Sequence, residues 1–166
     1  KVKNIKKIKF SKLNRSELRK IRLELLSKIN SIPISLILAQ SIIESGWGTS
    51  RFAQEGNALF GQWTWKNDDG IKPKGNQDAN FSVKSFDSLL DSVNSYILNL
   101  NTHPAYKELR NFRTLQNNMK KTLTGNDMAS FLEKYAEIGF EYVTKVKSMI
   151  KKNQLSRFEN STLRSF

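Results

Sequence analysis

Glu44 closes a strongly apolar run. Ile34, Leu36, Ile37, Leu38, Ala39, Ile42 and Ile43 precede it, and Ser45-Gly46-Trp47-Gly48 follows. A run that is greasy on nearly all sides reads as a buried helix rather than a surface one. Ser35, Gln40 and Ser41 interrupt it, and it is too short to cross a bilayer. Gly46 or Gly48 can take the left-handed conformation that ends a helix. A carboxyl group at that end loses solvation and faces the negative end of the helix dipole. Both effects favour the protonated form and raise the pKa. An acid that keeps its proton near neutral pH is suited to general acid catalysis. By spacing alone, Glu44 reads equally well as a surface residue at a frayed helix end.

Other groups that could do chemistry are scattered. Asp68 and Asp69 fall in Asn67-Asp68-Asp69-Gly70, where turn chemistry accounts for them first. Asp78 lies in the loop-like stretch Gly75 to Asn80. His103 is the only histidine, and there is no cysteine, so neither a thiolate nor a histidine-rich metal site can be assembled. There is no Gly-rich phosphate loop and no Ser-His-Asp set. Nothing in the chain demands a metal, a nucleotide or a flavin, and the reading expects no cofactor.

The elements that must position Glu44 are mostly helical. Asn14-Arg15-Ser16-Glu17 resembles a capped helix start. Leu18, Ile21, Leu25, Leu26 and Ile29 then recur at helical spacing, an amphipathic helix of about four turns. Pro33 suits the first turn of the buried helix that ends at Glu44. Thr49 to Gln54 reads as a short helical turn. From about 57 to 83 the character changes to a small β lobe, with a hairpin turning at Asn67 to Gly70. Trp63 and Trp65 alternate along its first strand and share a face. Ser85 reads as the cap of a helix with Phe86, Leu89, Leu90, Val93, Ile97 and Leu100 on one stripe. Pro104 opens a helix, Thr124-Gly125-Asn126-Asp127 is a loop and cap, and Gly139 precedes a last helix carrying Tyr142, Val143, Val146, Met149 and Ile150. Residues 1–13 form a basic arm with six lysines, 14–153 the domain, and 154–166 a loose polar tail.

A chain of 166 residues is long enough for one domain with a real core. Its 28 basic and 15 acidic residues leave a net charge of +13. Such a surface favours a polyanionic partner: nucleic acid, anionic lipid or bacterial wall polymer. No nucleic-acid recognition motif is present, which argues against a specific nucleic-acid partner. The chain opens on Lys1, as a processed product or trimmed fragment does, and shows no signal peptide or transmembrane run.

Several stretches, in order along the chain, resemble the bacterial endo-β-N-acetylglucosaminidases of glycoside hydrolase family seventy-three, and within it the Bax-type subgroup. They are Glu44 to Ser50 (ESGWGTS), Gly56 to Gly61 (GNALFG), Gln62-Trp63, Gly70 to Pro73, Asn99 to Tyr106 (NLNTHPAY) and Tyr135 to Val143 (YAEIGFEYV). The resemblance runs from about Pro33 to Asn153. It implies a mainly α, α+β, lysozyme-like domain built around the buried central helix, with the small β-hairpin lobe beside it. It also implies a peptidoglycan hydrolase that cleaves the β-1,4 bond between N-acetylglucosamine and N-acetylmuramic acid.

On that resemblance Glu44 is the catalytic acid. Glycoside hydrolysis usually needs a second group to attack or stabilise the anomeric carbon. Asp69, in the lobe where some members carry a second acid, is a tentative candidate, but no motif fixes it, Asp68 or Asp78. N-acetyl sugars can also use their own acetamido carbonyl. Tyr135 would then help orient that group, or it is a core aromatic beside Phe131 and Leu132. Asn57 and Phe60 match positions lining the groove; Asn57 either binds an acetamido group or holds its own turn. Trp63 and Trp65 either stack on sugar rings or close the core, with Trp63 expected in the core. His103 is expected to bond backbone in a helix-joining turn. The implied partners are peptidoglycan glycan strands and an anionic wall or membrane surface. The implied state is monomeric, and the implied place is the periplasm or cell surface. A transglycosylase or muramidase of the same fold, or a non-catalytic basic wall-binding module, are the competing readings.

Overall fold

The computed structural model describes residues 13–65, 70–74 and 80–161. Residues 1–12 of the basic arm, Asp68, Asp69, Asp78 and the last five residues lie outside the described residues. The fold is mainly α, with seven α-helices and one small three-stranded antiparallel sheet among the described residues.

Helix α1 (Arg15–Lys28) starts at a reciprocal capping box. Asn14 Oδ1 accepts from the Glu17 N–H at 2.9 Å, and the Glu17 carboxylate accepts from the Asn14 N–H at 2.8 Å. None of its residues is buried. The leucine stripe legible in the sequence faces outward, because polar contacts hold the opposite side. Arg113 is fully buried, and its guanidinium donates to the carbonyls of Ser27 (2.6 Å), Asn30 (2.9 Å) and Ser31 (3.0 Å). Ser27 O is one of the last carbonyls of α1, which have no partner within the helix, and Asn30 and Ser31 follow in the turn just beyond it. Burial lowers the Arg113 pKa to about 10, so it still carries its charge at neutral pH. Arg110 does the same for the next turn of the fold, donating to Leu100 O and His103 O.

Helix α2 (Ile34–Ser45) is central. It packs against α6 (Gly125–Ala129), α7 (Phe140–Lys152) and the 3-10 turn Leu155–Phe158. Leu36 and Ala39 are fully buried, and Ile37, Ile42 and Ile43 pack partly buried around the same core. Gly125 lets α6 sit on α2: a β-carbon there would lie 2.6 Å from the Leu36 nitrogen. The chain from Gln154 is no loose tail at first. Leu155 is buried, and the Glu159 carboxylate accepts from the Ser35 hydroxyl and from the Gly125 N–H. An apolar side chain and an acid with two donors anchor what composition alone read as polar.

Helix α3 (Arg51–Gly56) leads into the β lobe: β1 (Trp63–Thr64), β2 (Gly70–Ile71) and β3 (Ser82–Lys84). The order is β1-β3-β2, with Trp63 opposite Val83 and Ile71 opposite Val83 on the other edge. The strands on either side of the Asn67–Gly70 stretch therefore pair with β3 and not with each other. Helix α4 (Leu89–Thr102) starts at Ser88, three residues later than the Ser85 expected. The reason is local. The Phe86 N–H donates to Gly56 O and the Phe86 carbonyl accepts from Asn57 Nδ2, both at 2.9 Å, so that backbone is tied to the end of α3. Leu89 and Leu90 are consequently exposed, while Tyr96 and Leu100 face the core. A 3-10 turn, Pro104–Tyr106, joins α4 to α5 (Lys107–Asn118).

Candidate active site

Glu44 is the penultimate residue of α2. Gly46, at φ +57°, ends the helix in the left-handed conformation, and its N–H closes back on Ile42 O. Trp47 and Gly48 continue with positive φ. A tryptophan in that region is uncommon and marks a turn held by its surroundings. Ser45 supplies the hold. Its buried hydroxyl donates to Ser41 O and accepts from the Gly48 N–H at 2.8 Å. Glu44 therefore sits on rigid backbone at the place where helix becomes turn.

Among the described residues, its carboxylate is hydrogen-bonded through one oxygen. Tyr142, from α7, donates its hydroxyl to Glu44 Oε1 at 2.6 Å. The Tyr142 oxygen in turn accepts from Gln40 Nε2 at 2.9 Å, and Gln40 Oε1 accepts from the Tyr96 hydroxyl. The directions are forced. Burial and the neighbouring Glu44 hold the Tyr142 phenol far above its ordinary range, so it keeps its single proton and spends it on Glu44. Its oxygen can then only accept, which turns the Gln40 amide nitrogen towards it and the amide oxygen towards Tyr96. With Oε1 receiving a proton from Tyr142, the acidic proton of neutral Glu44 belongs on Oε2. That atom lies beside Gly61, where a β-carbon would stand 3.8 Å away. Burial raises the Glu44 pKa; the Tyr142 hydrogen bond and the charge of Lys145 pull it back part of the way.

The groove beside Glu44 has a volume of about 620 Å³ and is lined by Phe60, Gly61, Gln62, Trp63, Asn99, Tyr106, Tyr135, Ala136 and Glu137 as well. That size falls within the roughly 300–1,000 Å³ usual for ligand sites. Tyr135 stands on its wall. Its ring stacks on Tyr142 at 5.3 Å and meets Tyr96 edge-on at 6.4 Å, and its hydroxyl reaches Phe60 O at 3.4 Å. Phe60 is buried and stacks on Tyr96 at 4.1 Å. The two readings of Tyr135, core aromatic and groove residue, describe two ends of one side chain.

Trp63 does not close the core, as expected of it. It is 57 % exposed, stacks on Phe81 at 4.7 Å and lines the groove. A two-residue strand at a sheet edge leaves its outer face uncovered. Trp65 is exposed as well and is not among the residues lining the groove. Asn57 is not there either. It caps α3 in the left-handed conformation and donates to Phe86 O. His103 Nδ1 accepts from the Ala105 N–H at 3.2 Å, a turn-holding bond. Asp69 lies outside the described residues.

The profile of the family described as mannosyl-glycoprotein endo-beta-N-acetylglucosaminidase matches residues 21–155. The chain belongs to the glucosaminidase family. A relative is Protein bax of Escherichia coli strain K12, 35% identical over 134 residues, which cover 78% of this chain and 46% of the relative. The chain thus spans about half the length of that curated protein. The family is one of glycoside hydrolases, and this domain is of the Bax type.

Sequence reasoning missed several residues around Glu44 and its groove. Gln40 and Tyr142 hold the acid, and Asn99, Tyr106 and Glu137 help line the groove. Gln40 carried a signal: it lies four residues before Glu44 on the same helix face, and a polar side chain in an apolar helix needs a partner. Tyr142 belongs to the matched stretch 135–143 but had no role of its own there.

Proposed function

We propose that this domain hydrolyses the β-1,4 bond between N-acetylglucosamine and N-acetylmuramic acid in peptidoglycan, with Glu44 as general acid. The observation that carries the reading is the asymmetric binding of the Glu44 carboxyl group. Oε1 is held from behind by Tyr142, and Oε2 adjoins Gly61 on the wall of an open groove. A proton on Oε2 meets the glycosidic oxygen of a strand lying in the groove, and its transfer lets the leaving sugar depart as an alcohol. The raised pKa keeps a share of the acid protonated towards neutral pH.

The anomeric carbon needs a partner as positive charge develops on it. The acetamido carbonyl of the sugar is one, supplied by the substrate itself. The Tyr135 hydroxyl on the groove wall is placed to orient it, and the exposed face of Trp63 offers a stacking surface for a pyranose ring. The acetamido oxygen bonds to the anomeric carbon as the glycosidic bond breaks. Water then adds to that carbon from the face the leaving sugar vacated, gives its proton to the Glu44 carboxylate and reopens the ring. Such a substrate lies outside the cytoplasmic membrane, so the reading also places the protein in the periplasm or at the cell surface, working as a monomer on glycan strands.

The test is digestion of purified peptidoglycan, with the new ends read by mass spectrometry. N-acetylglucosamine at the new reducing ends supports the reading. Muramic or anhydromuramic ends would replace it with a muramidase or a lytic transglycosylase. Binding without cleavage would leave a wall-binding module.

A further inference from the structure

Helix α1 turns its apolar side away from the protein. Leu18, Ile21, Leu25 and Ile29 form one row along it, and Arg15, Arg19, Arg22 and Leu26 the adjoining row. Helix α5 lies against the other side of α1, where Arg113 grips the Ser27 carbonyl. The stripe is consequently open: Leu18 is 39 %, Leu25 54 % and Ile29 74 % exposed. An exposed stripe of large apolar residues on one helix, with basic residues woven into it, is unusual on a surface that meets only water.

Charge identifies the partner. Residues 1–28 carry eleven basic and two acidic residues, so nine of the thirteen excess positive charges sit in the first 28 residues. The remaining chain is only slightly basic for its size. A second copy of α1 would bring its own arginine row against this one. Residues 1–12 carry six lysines and no acid, which makes them a poor cover for a face that holds three arginines. A wall polymer or nucleic acid would answer the charge and leave the leucines in water. An anionic phospholipid surface answers both: acyl chains take the leucines and lipid phosphates take the arginines of the adjoining row.

We propose that α1 seats this domain on an anionic bilayer surface. The helix lies in the plane of the interface and does not cross it; no helix among the described residues is long and apolar enough to do so. The inference does not rest on the glucosaminidase chemistry, since no residue of α1 lines the groove.

The test is flotation of the full chain with vesicles of phosphatidylglycerol and phosphatidylcholine, against vesicles of phosphatidylcholine alone. The variants are Leu18→Gln with Leu25→Gln, and separately Arg19→Glu with Arg22→Glu. All four positions are exposed, and circular dichroism and thermal melting check the fold. Binding to the anionic vesicles only, weakened at least about tenfold by each pair of substitutions, is the expected result. Absence of binding to anionic vesicles overturns the proposal. So does binding that the leucine variants leave unchanged, since that is attraction to a polyanion. Sedimentation showing a dimer that the leucine variants dissolve assigns the stripe to a second copy. A lowered melting temperature in the leucine variants assigns it to a cover from the chain itself.

Discussion

At the residue scale, the account turns on one carboxyl group with two unlike oxygens. Tyr142 binds Oε1 and so lowers the pKa that burial raises. Replacing Tyr142 with Phe removes that hydrogen bond and strands the Gln40 amide. The Glu44 pKa should then rise further. Cleavage requires the protonated acid, so its alkaline limb should move to higher pH in the variant, as a pH–rate profile of peptidoglycan digestion will show. A limb that stays in place or moves down would contradict the role given to Tyr142.

The same shift makes a statement about stability. In the folded chain Glu44 titrates above its ordinary value of 4.5. Between that value and the raised one, the native state binds more protons than the unfolded state, so stability falls as pH rises through the window. Glu44→Gln removes this titration and keeps an acceptor for Tyr142. The variant should melt higher than the parent at pH 7, with the difference shrinking below pH of about 4.5. Equal melting temperatures across the range would show that burial does not strain the acid.

An apolar run, a polar end and two glycines drew attention to Glu44, and the matched stretch Glu44 to Ser50 decided between a buried acid and a surface residue. Tyr142 was not legible in that way. It lies 98 residues further on, and only the packing of α7 on α2 brings it to the acid.

At the element scale, two arginines do work that hydrophobic patterning does not foresee. Arg113 holds the end of α1 and the turn beyond it through three carbonyls, with no carboxylate in the arrangement among the described residues. Arg113→Met keeps much of the volume and takes away the guanidinium from Ser27 O and Ser31 O, while Asn30 O keeps its bond from Asn101 Nδ2. We expect a loss of about 2–4 kcal/mol in chemical denaturation, the scale of several unmet buried polar groups. A loss below about 0.5 kcal/mol, the level of ordinary surface changes, would show that water satisfies these carbonyls as well. Periodicity identified the helices themselves. It placed the start of α4 at Ser85 because it could not see Phe86 bonded to the end of α3, and it could not see which side of α1 would be covered. Strand pairing was hidden for a similar reason: β3 sits between β1 and β2, and two- and three-residue strands carry too little pattern to show it.

At the scale of the whole molecule, the groove is made by segments that meet only in the fold: the end of α2, residues 60–63, one residue of α4, the turn at Tyr106 and the stretch 135–137. Their order along the chain was visible as matched motifs; their convergence was not. Trp63 shows the difference, since the family match favoured a place in the core and its position on an outer strand leaves it exposed beside the groove.

The most direct measurement is digestion of purified peptidoglycan by the parent chain and by Glu44→Gln, side by side. The account predicts fragments with N-acetylglucosamine reducing ends from the parent, and a rate lower by about a hundredfold or more from a variant that is still folded. A folded Glu44→Gln variant that cleaves at the parent's rate would show that the acid lies elsewhere.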